Sequence, residues 1–288
     1  MTRVKTVEVV CNIASGSVGK DAPAEIEKIL SASGKAANVR APEHGDLMRA
    51  LQLAVDAAPD LLIVLAGDGT ARAAAELCGP DGPMIAPLPG GTMNMLPHAI
   101  YGVRPWPAAL SIALEHGFER PIGGGEVAGH SFLVSAIFGS PALWAPAREA
   151  ARYGKPKLAW MRARRAMRRA FQGRLRYTLD SGPREKAEAL VFMCPLVSRR
   201  LDNDAGALEA VALDLHGAAD LLRVGFHAVT GDWRDAPGVD DAMCQIARVW
   251  ASQGIPAMLD GEALRLKSLA EVRYTPNVAR ILAIPKDV

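Results

Sequence analysis

The run Leu61-Leu-Ile-Val-Leu-Ala66, followed at once by Gly67-Asp-Gly-Thr70, constrains this chain more than any other stretch. Consecutive apolar residues closed by glycine fit a strand buried on both faces, which belongs in a parallel sheet covered by helices. The alanine-rich stretch from Thr70 to Leu77 reads as the helix that crosses back over that sheet. Gly67 and Gly69 then occupy the turn at the carboxyl end of a strand. Glycine there allows unusual dihedrals and close backbone approach, while the first amides of the helix favour an anion. On this reading Asp68 projects into the crevice where open sheets bind ligands. Taken alone, the same residues read equally well as an ordinary βα turn with Thr70 as its cap.

The surrounding pattern agrees with a parallel sheet. Over the first 120 residues, strand-like blocks at 7–11, 37–40, 61–66 and 84–87 alternate with helix-like blocks at 23–31, 45–57, 70–77 and 107–116, and another helix starts after Asn94. Right-handed crossovers would gather the loops after these strands along one sheet edge. After Pro121 the texture changes to short apolar runs broken by glycine, proline and charge, the signature of a β-rich unit. Strands are expected there at 131–138, 174–179, 189–193, 208–215, 221–228, 264–267 and 279–284, with helices at 157–172 and 240–251. The predicted class is α/β plus β. A doubly wound Rossmann-like domain over 1–122 precedes a β-sandwich domain over 123–288.

The length of 288 residues suits two domains, and half the residues are hydrophobic, so both can bury a core. No stretch approaches 18 apolar residues, and the N-terminus runs directly into a strand-like block, from which we expect a cytoplasmic protein. Cys11, Cys78, Cys194 and Cys244 lack metal-ligand spacing and sit among apolar neighbours, which predicts buried reduced thiols. The net charge of +2 conceals an asymmetry: ten basic and no acidic residues lie between Arg152 and Arg176, leaving −8 for the rest of the chain. That distribution disfavours a nucleic-acid partner. Trp160, Ala163, Met167, Ala170 and Phe171 recur at helical spacing within the segment, with Arg162, Arg165, Arg168 and Arg169 largely elsewhere on the wheel. Two readings stand: the apolar stripe packs on the core, or the helix docks peripherally on the anionic inner face of a membrane. Strand edges in the second domain would permit pairing into a homodimer.

Three glycine-containing loops fall at predicted strand ends. Asn12-Ile-Ala-Ser-Gly-Ser-Val-Gly-Lys20 offers amides with Ser15, Gly16, Ser17 and Lys20, but not in the Walker A order. Gly67-Asp-Gly-Thr70 is the second. Pro89-Gly-Gly-Thr-Met-Asn94 is the third, with Gly90, Gly91, Thr92 and Asn94 as its binding groups. Each reads singly as a structural turn, and together at one edge they point to a phosphate-bearing ligand. Far along the chain, Leu259-Asp-Gly-Glu262 places two carboxylates on a probable turn. A plain Asp-Gly hairpin accounts for it, as does phosphoryl transfer, which needs a metal against phosphate charge and a carboxylate for the attacking hydroxyl.

In order and spacing, Asn12-x-x-Ser-Gly16, Gly67-Asp-Gly-Thr70, Pro89-Gly-Gly-Thr-Met-Asn94 and Leu259-Asp-Gly-Glu262 resemble the diacylglycerol kinase catalytic-domain family, which includes bacterial soluble lipid kinases and sphingosine kinases and is distantly related to NAD kinases. The resemblance implies ATP bound by an N-terminal α/β domain, a C-terminal β-sandwich that takes a lipid alcohol, and Mg²⁺ as cofactor. It further implies that Asp68, Gly69, Thr70, Thr92 and Asn94 line the nucleotide phosphates. By the same resemblance Glu262 is the general base, with Asp260 assisting through the metal and Asp68 also catalytic.

The chain departs from that pattern at three positions. Ile13 follows Asn12 where the family usually has proline, and Ala66 stands for a glycine. Met95 stands where the family commonly carries aspartate, and a thioether does not hold a metal-bound water as a carboxylate does. The segment 201–209 only blurs the family's Asp-Gly loop beside a structural metal. Two alternatives follow: a lipid- or nucleotide-binding homologue with weakened or lost catalysis, and a kinase for a soluble acceptor such as NAD.

Overall fold

In the computed structural model, the apolar run forms a parallel strand, β3 (Leu61–Ala66), with all of its residues buried. The structure describes residues 4–42, 46–144, 154–158, 160, 161, 164, 174–198, 200, 201, 206–214 and 238–285. Two compact units result, Met1–Gly123 with Pro276–Val288, and Gly124–Thr275.

In the first unit β3 lies between β1 (Val7–Cys11) and β4 (Met84–Pro89), and β2 (Ala37–Arg40) pairs with the far side of β1, every pairing parallel. The helices are α1 (Ala22–Ala32), α2 (Leu47–Asp56), α3 (Asp68–Cys78), α4 (Met95–Tyr101) and α5 (Trp106–His116). One pair, α2 and α3, packs together over β1, β3 and β4; the other, α1 and α5, packs together over β2 and β4. Helices on both faces explain why β3 reads as continuous rather than alternating hydrophobicity.

The chain's last segment corrects the expected division, which gave all of 123–288 to the second domain. The long strand β16 (Leu269–Ala283) carries residues of both units, and its end pairs parallel with β4 through Ile281 and Ile85. Ala279, Ile281, Leu282 and Ala283 are buried there, and the Tyr101 hydroxyl donates to the Leu282 carbonyl at 2.8 Å. Arg280 pairs with Glu119 at 2.6 Å.

The second unit is a β-sandwich. In one sheet the first part of β16 pairs with β13 (Ile246–Trp250), then β8 (Leu175–Leu179) and β9 (Glu185–Ala187). The other runs β12 (Val239–Cys244), β11 (Leu208–Leu213), β10 (Ala189–Met193), β7 (Ser135–Gly139), β14 (Ile255–Leu259), β15 (Glu262–Leu266), all antiparallel. Phe132, Phe138 and Phe192 fill the space between them, with the rings of Phe138 and Phe192 edge to face at 5.5 Å between centroids.

Several local expectations change. Residues 240–251 form β12 and β13 instead of a helix: within β13 only Ala247 and Val249 are buried, the period of two that a strand requires. The expected strand 131–138 splits into β6 (His130–Phe132) and β7. A strand not foreseen, β5 (Phe118–Val127), occupies the expected boundary despite its proline and glycines. The expected strand 221–228 lies outside the described residues. Of the expected helix 157–172, residues 157, 158, 160, 161 and 164 are helical and the remainder lie outside the described residues. All four cysteines are free and buried.

Candidate active site

The three glycine loops of the first unit meet, and backbone contacts bring them together. After β1, Asn12 donates its amide to Leu65 at 2.9 Å and accepts the Ala14 amide on its side-chain oxygen at 3.2 Å, which turns the loop toward β3. Ser17 then ties it to the third loop: its amide donates to the Gly90 carbonyl at 3.2 Å, and its hydroxyl lies 3.1 Å from the Pro89 and 3.3 Å from the Gly91 carbonyl. Gly90 in turn donates to the Ala66 carbonyl at 3.1 Å. A Cβ on Gly90 would lie 2.8 Å from the Ala66 nitrogen, and one on Gly91 would lie 2.7 Å from the Gly67 Cα. These two glycines are therefore required by the approach of one loop to another. Gly16 sits beside Thr92, whose hydroxyl oxygen would lie 3.6 Å from a Cβ at that position.

Asn94 is a structural clamp. It adopts left-handed backbone, φ 50°, and is buried, accepting the Gly91 amide at 2.7 Å and donating its side-chain NH₂ to the Gly91 carbonyl at 3.1 Å. Thr92 beside it is exposed. The Asn94 side chain thus holds its own loop, and Thr92 is the member facing outward.

Asp68 opens α3, which begins two residues earlier than the sequence pattern suggested, and Thr70 does not cap it. Its carboxylate accepts the Leu96 amide at 3.2 Å, along with the Asn94 and Met95 amides at the start of α4. Burial pushes the Asp68 carboxyl up from its ordinary value, against the pull of those three amides and of His98. Gly67, Asp68, Gly69 and Thr70 are all half-buried, so the turn keeps an open side. Ser17 was named in the sequence as a group of its loop, though not as the tie to the third loop; the α4 amides were not singled out, and no local pattern signals them.

Asp260 and Glu262 belong to the second unit, at the turn between β14 and β15. Asp260 is buried at 4% exposure with φ 45°, and its carboxylate accepts three successive amides, Leu133 at 2.8 Å, Val134 at 2.9 Å and Ser135 at 2.9 Å. Its own amide donates to the Ser135 carbonyl at 2.9 Å. Both oxygens are engaged inside the fold, which does not suit a Mg²⁺ ligand that must face phosphate and water. The metal role expected of Asp260 is therefore corrected to a positioning one: it fixes the turn that presents Glu262 and interrupts the strand at 133–134. Glu262 is exposed. Among the described residues, no group of three or more His, Cys, Asp or Glu could hold a metal.

Within the same sandwich a cleft of about 520 Å³ opens between the sheets. Leu179, Leu190, Ala210 and Ala212 wall it, and Glu185, Asp240 and Asp241 stand at its rim. Tyr177 also lines it, donating to Glu185 at 2.6 Å; burial and the neighbouring carboxylate push its phenol well above the usual range.

Residues 6–123 match the family model of the diacylglycerol kinase catalytic domain. The matched segment holds all three of the converging loops. No curated protein matches the sequence. Over the whole chain, a diacylglycerol kinase from Bacillus anthracis str. Sterne is similar at a TM-score of 0.69 and 15% identity, covering 100% of both chains. A second protein of that strain, reported as a candidate diacylglycerol kinase, reaches 0.77 at 18% identity over 100% of this chain and 98% of that one. Yeast NADH kinase, solved with NADH, reaches 0.52 at 9% identity over 100% of this chain and 85% of that one. At these identities the likeness is one of fold, and it supports the two-part architecture of a Rossmann-like unit and an antiparallel sandwich.

Proposed function

We propose that this protein is an ATP-dependent kinase that phosphorylates the hydroxyl of a diacylglycerol-like or sphingoid lipid. The observation that carries the reading is the meeting of three glycine loops around Asp68, inside the segment that matches the kinase family. No side chain caps the first turn of α3; the Thr70 amide donates to the Gly67 carbonyl at 3.0 Å, and the amides of Asp68 and Gly69 are the ones open to a phosphate. Thr92 and Thr70 are the hydroxyls on that side. Mg²⁺ fits this chain as a companion of the nucleotide, since the ion commonly binds through one or two carboxylates plus substrate phosphates; Asp68 is the carboxylate of the loop cluster. When bound, the ion neutralises phosphate charge.

Glu262 acts as the general base on the lipid hydroxyl, and Asp260 supports it by fixing its turn. The cleft of the sandwich, walled by Leu179, Leu190, Ala210 and Ala212 with carboxylates among its lining and within the usual size range of ligand pockets, takes acyl chain. The kinase is expected to work at the inner face of the membrane, as a cytoplasmic protein and with no nucleic-acid partner; homodimer formation through sandwich edges belongs to the same proposal. Among the described residues no helix is long and apolar enough to cross a membrane. Met95 favours a second reading, a lipid- and nucleotide-binding homologue with reduced turnover.

Purified protein with ATP, Mg²⁺ and lipid micelles should transfer phosphate. Glu262→Gln should lower that rate by roughly 10²–10⁴, the usual contribution of general-base catalysis, with the nucleotide-induced rise in melting temperature retained. Full turnover in the variant would remove Glu262 from the chemistry, and nucleotide binding without transfer in the wild type would select the second reading.

A further inference from the structure

The segment with ten cations carries one described helical face that the lipid-kinase reading does not use. Lys157, Trp160, Met161 and Arg164 stand at i, i+3, i+4 and i+7, so they share one side of the helix. Every one of them is exposed, Trp160 at 69% and Met161 at 67%. Trp160, which one reading of the segment packs on the core, is exposed; the other members of that apolar stripe lie outside the described residues. That arrangement leaves the largest apolar side chain of the segment outside, next to a thioether, with a cation one turn before and one turn after.

We infer that this face is a membrane anchor: Trp160 and Met161 enter the headgroup region of an anionic bilayer while Lys157 and Arg164 meet its phosphates. Tryptophan favours the interface because its ring is apolar and its N–H is polar. Lysine and arginine stems lie along apolar surface while their charges stay in water. The charge pattern selects the partner. Lys155 adds a further exposed cation, the flanking sequence from 152 to 176 has no acidic residue, and the remainder of the chain is net negative. An anionic leaflet attracts such a segment and repels the rest, which orients the protein on the surface. The inference rests on the lipid-kinase reading for its purpose, because an acceptor held in a bilayer has to be met there, but it is measured without ATP or turnover.

The test is flotation of the full chain with vesicles of phosphatidylcholine alone and of an equimolar mixture of phosphatidylcholine and phosphatidylglycerol. Wild-type protein should partition onto the mixed vesicles, much less onto the neutral ones, and release as salt is raised. Lys157→Ala with Arg164→Ala should weaken that partition about 30-fold, at about 1 kcal/mol for each cation. Trp160→Ser with Met161→Ser should weaken it on the order of tenfold or more at unchanged salt dependence, since apolar contact and not charge is lost. Neither pair should alter phosphate transfer to a short-chain diacylglycerol dispersed as monomers, while transfer on vesicles falls. Equal binding of either double variant and the wild type would overturn the anchor, as would equal binding to neutral and mixed vesicles. So would self-association in sedimentation that Trp160→Ser abolishes while vesicle binding is absent. A protein that docks as described but transfers no phosphate would leave the anchor standing and remove the kinase reading.

Discussion

Asp68 and Asp260 are the same side chain in two surroundings, and the difference decides what each can do. Asp260 is held by three amides from a single turn of its own unit, so its charge is stabilised where it lies. Asp68 also meets amides, but burial outweighs them and its carboxyl is raised. A raised carboxyl means the folded state holds the proton more tightly than the unfolded chain does. Stability is then greatest below the unfolded value and is lost as pH rises through the folded one, so at neutral pH ionised Asp68 destabilises the unit. Such a cost is common where a charge is kept for chemistry. Asp68→Asn keeps an oxygen for the Leu96 amide and removes the charge. The variant should melt above the wild type at neutral pH, with the gap closing toward acid pH, and its phosphate transfer should fall by on the order of 10² or more if the carboxylate meets the nucleotide's metal. A variant that melts below the wild type at neutral pH would contradict the sign argued here. Both aspartates were legible in the sequence as carboxylates at glycine turns. Their partners were not, because the amides that hold them lie 28 residues away for Asp68 and 125 to 127 away for Asp260.

At the scale of elements, α4 opens on Met95, the position where the family resemblance implies an aspartate. Its preceding residue Asn94 is left-handed, and its first amides serve Asp68. The position is read easily from sequence, since a helix start after Asn94 follows from the pattern. What the position does is set by the neighbouring turn. A carboxylate at the first residue of a helix is favoured by the helix dipole, yet at Met95 it would stand beside Asp68 and raise that carboxyl further. Met95→Asp should therefore melt below the wild type in nucleotide without metal. Added Mg²⁺ should restore it by more than it shifts the wild type, with a higher transfer rate, because a divalent cation relieves two carboxylates at once. A melting point lowered equally with and without Mg²⁺ would show that the ion does not approach this end of α4. Element type followed the same logic elsewhere: β1, β2 and β3 appear at the residues their patterns gave, whereas 240–251 was misread as helical because pairing with β11 and β16 overrode its local pattern.

For the molecule as a whole, the chain's last stretch is part of the unit that begins it. β16 supplies β4 with a parallel neighbour at Ile281, an interaction between residues 85 and 281 that no local pattern announces. Sequence reading found the strand at 279–284 and assigned it to the wrong unit for that reason. The energetics give the assignment a consequence. Ala279, Ile281, Leu282, Ala283 and Ile284 are buried, and at about 1.5–3 kcal/mol for each large side chain the three larger ones alone contribute an amount comparable to the 5–15 kcal/mol stability of a typical domain. Removing the segment also strands the Tyr101 hydroxyl, fully buried and bonded to the Leu282 carbonyl, at a further cost of about 1–3 kcal/mol. A chain ending at Thr275 should therefore keep the sandwich core intact and lose the first unit. Its far-ultraviolet circular dichroism should show reduced helix, since α1 to α5 all lie between residues 22 and 116, and the nucleotide-induced thermal shift should vanish. A truncated chain that still binds nucleotide would mean that β4 tolerates an open edge and that the parallel pairing with β16 is dispensable.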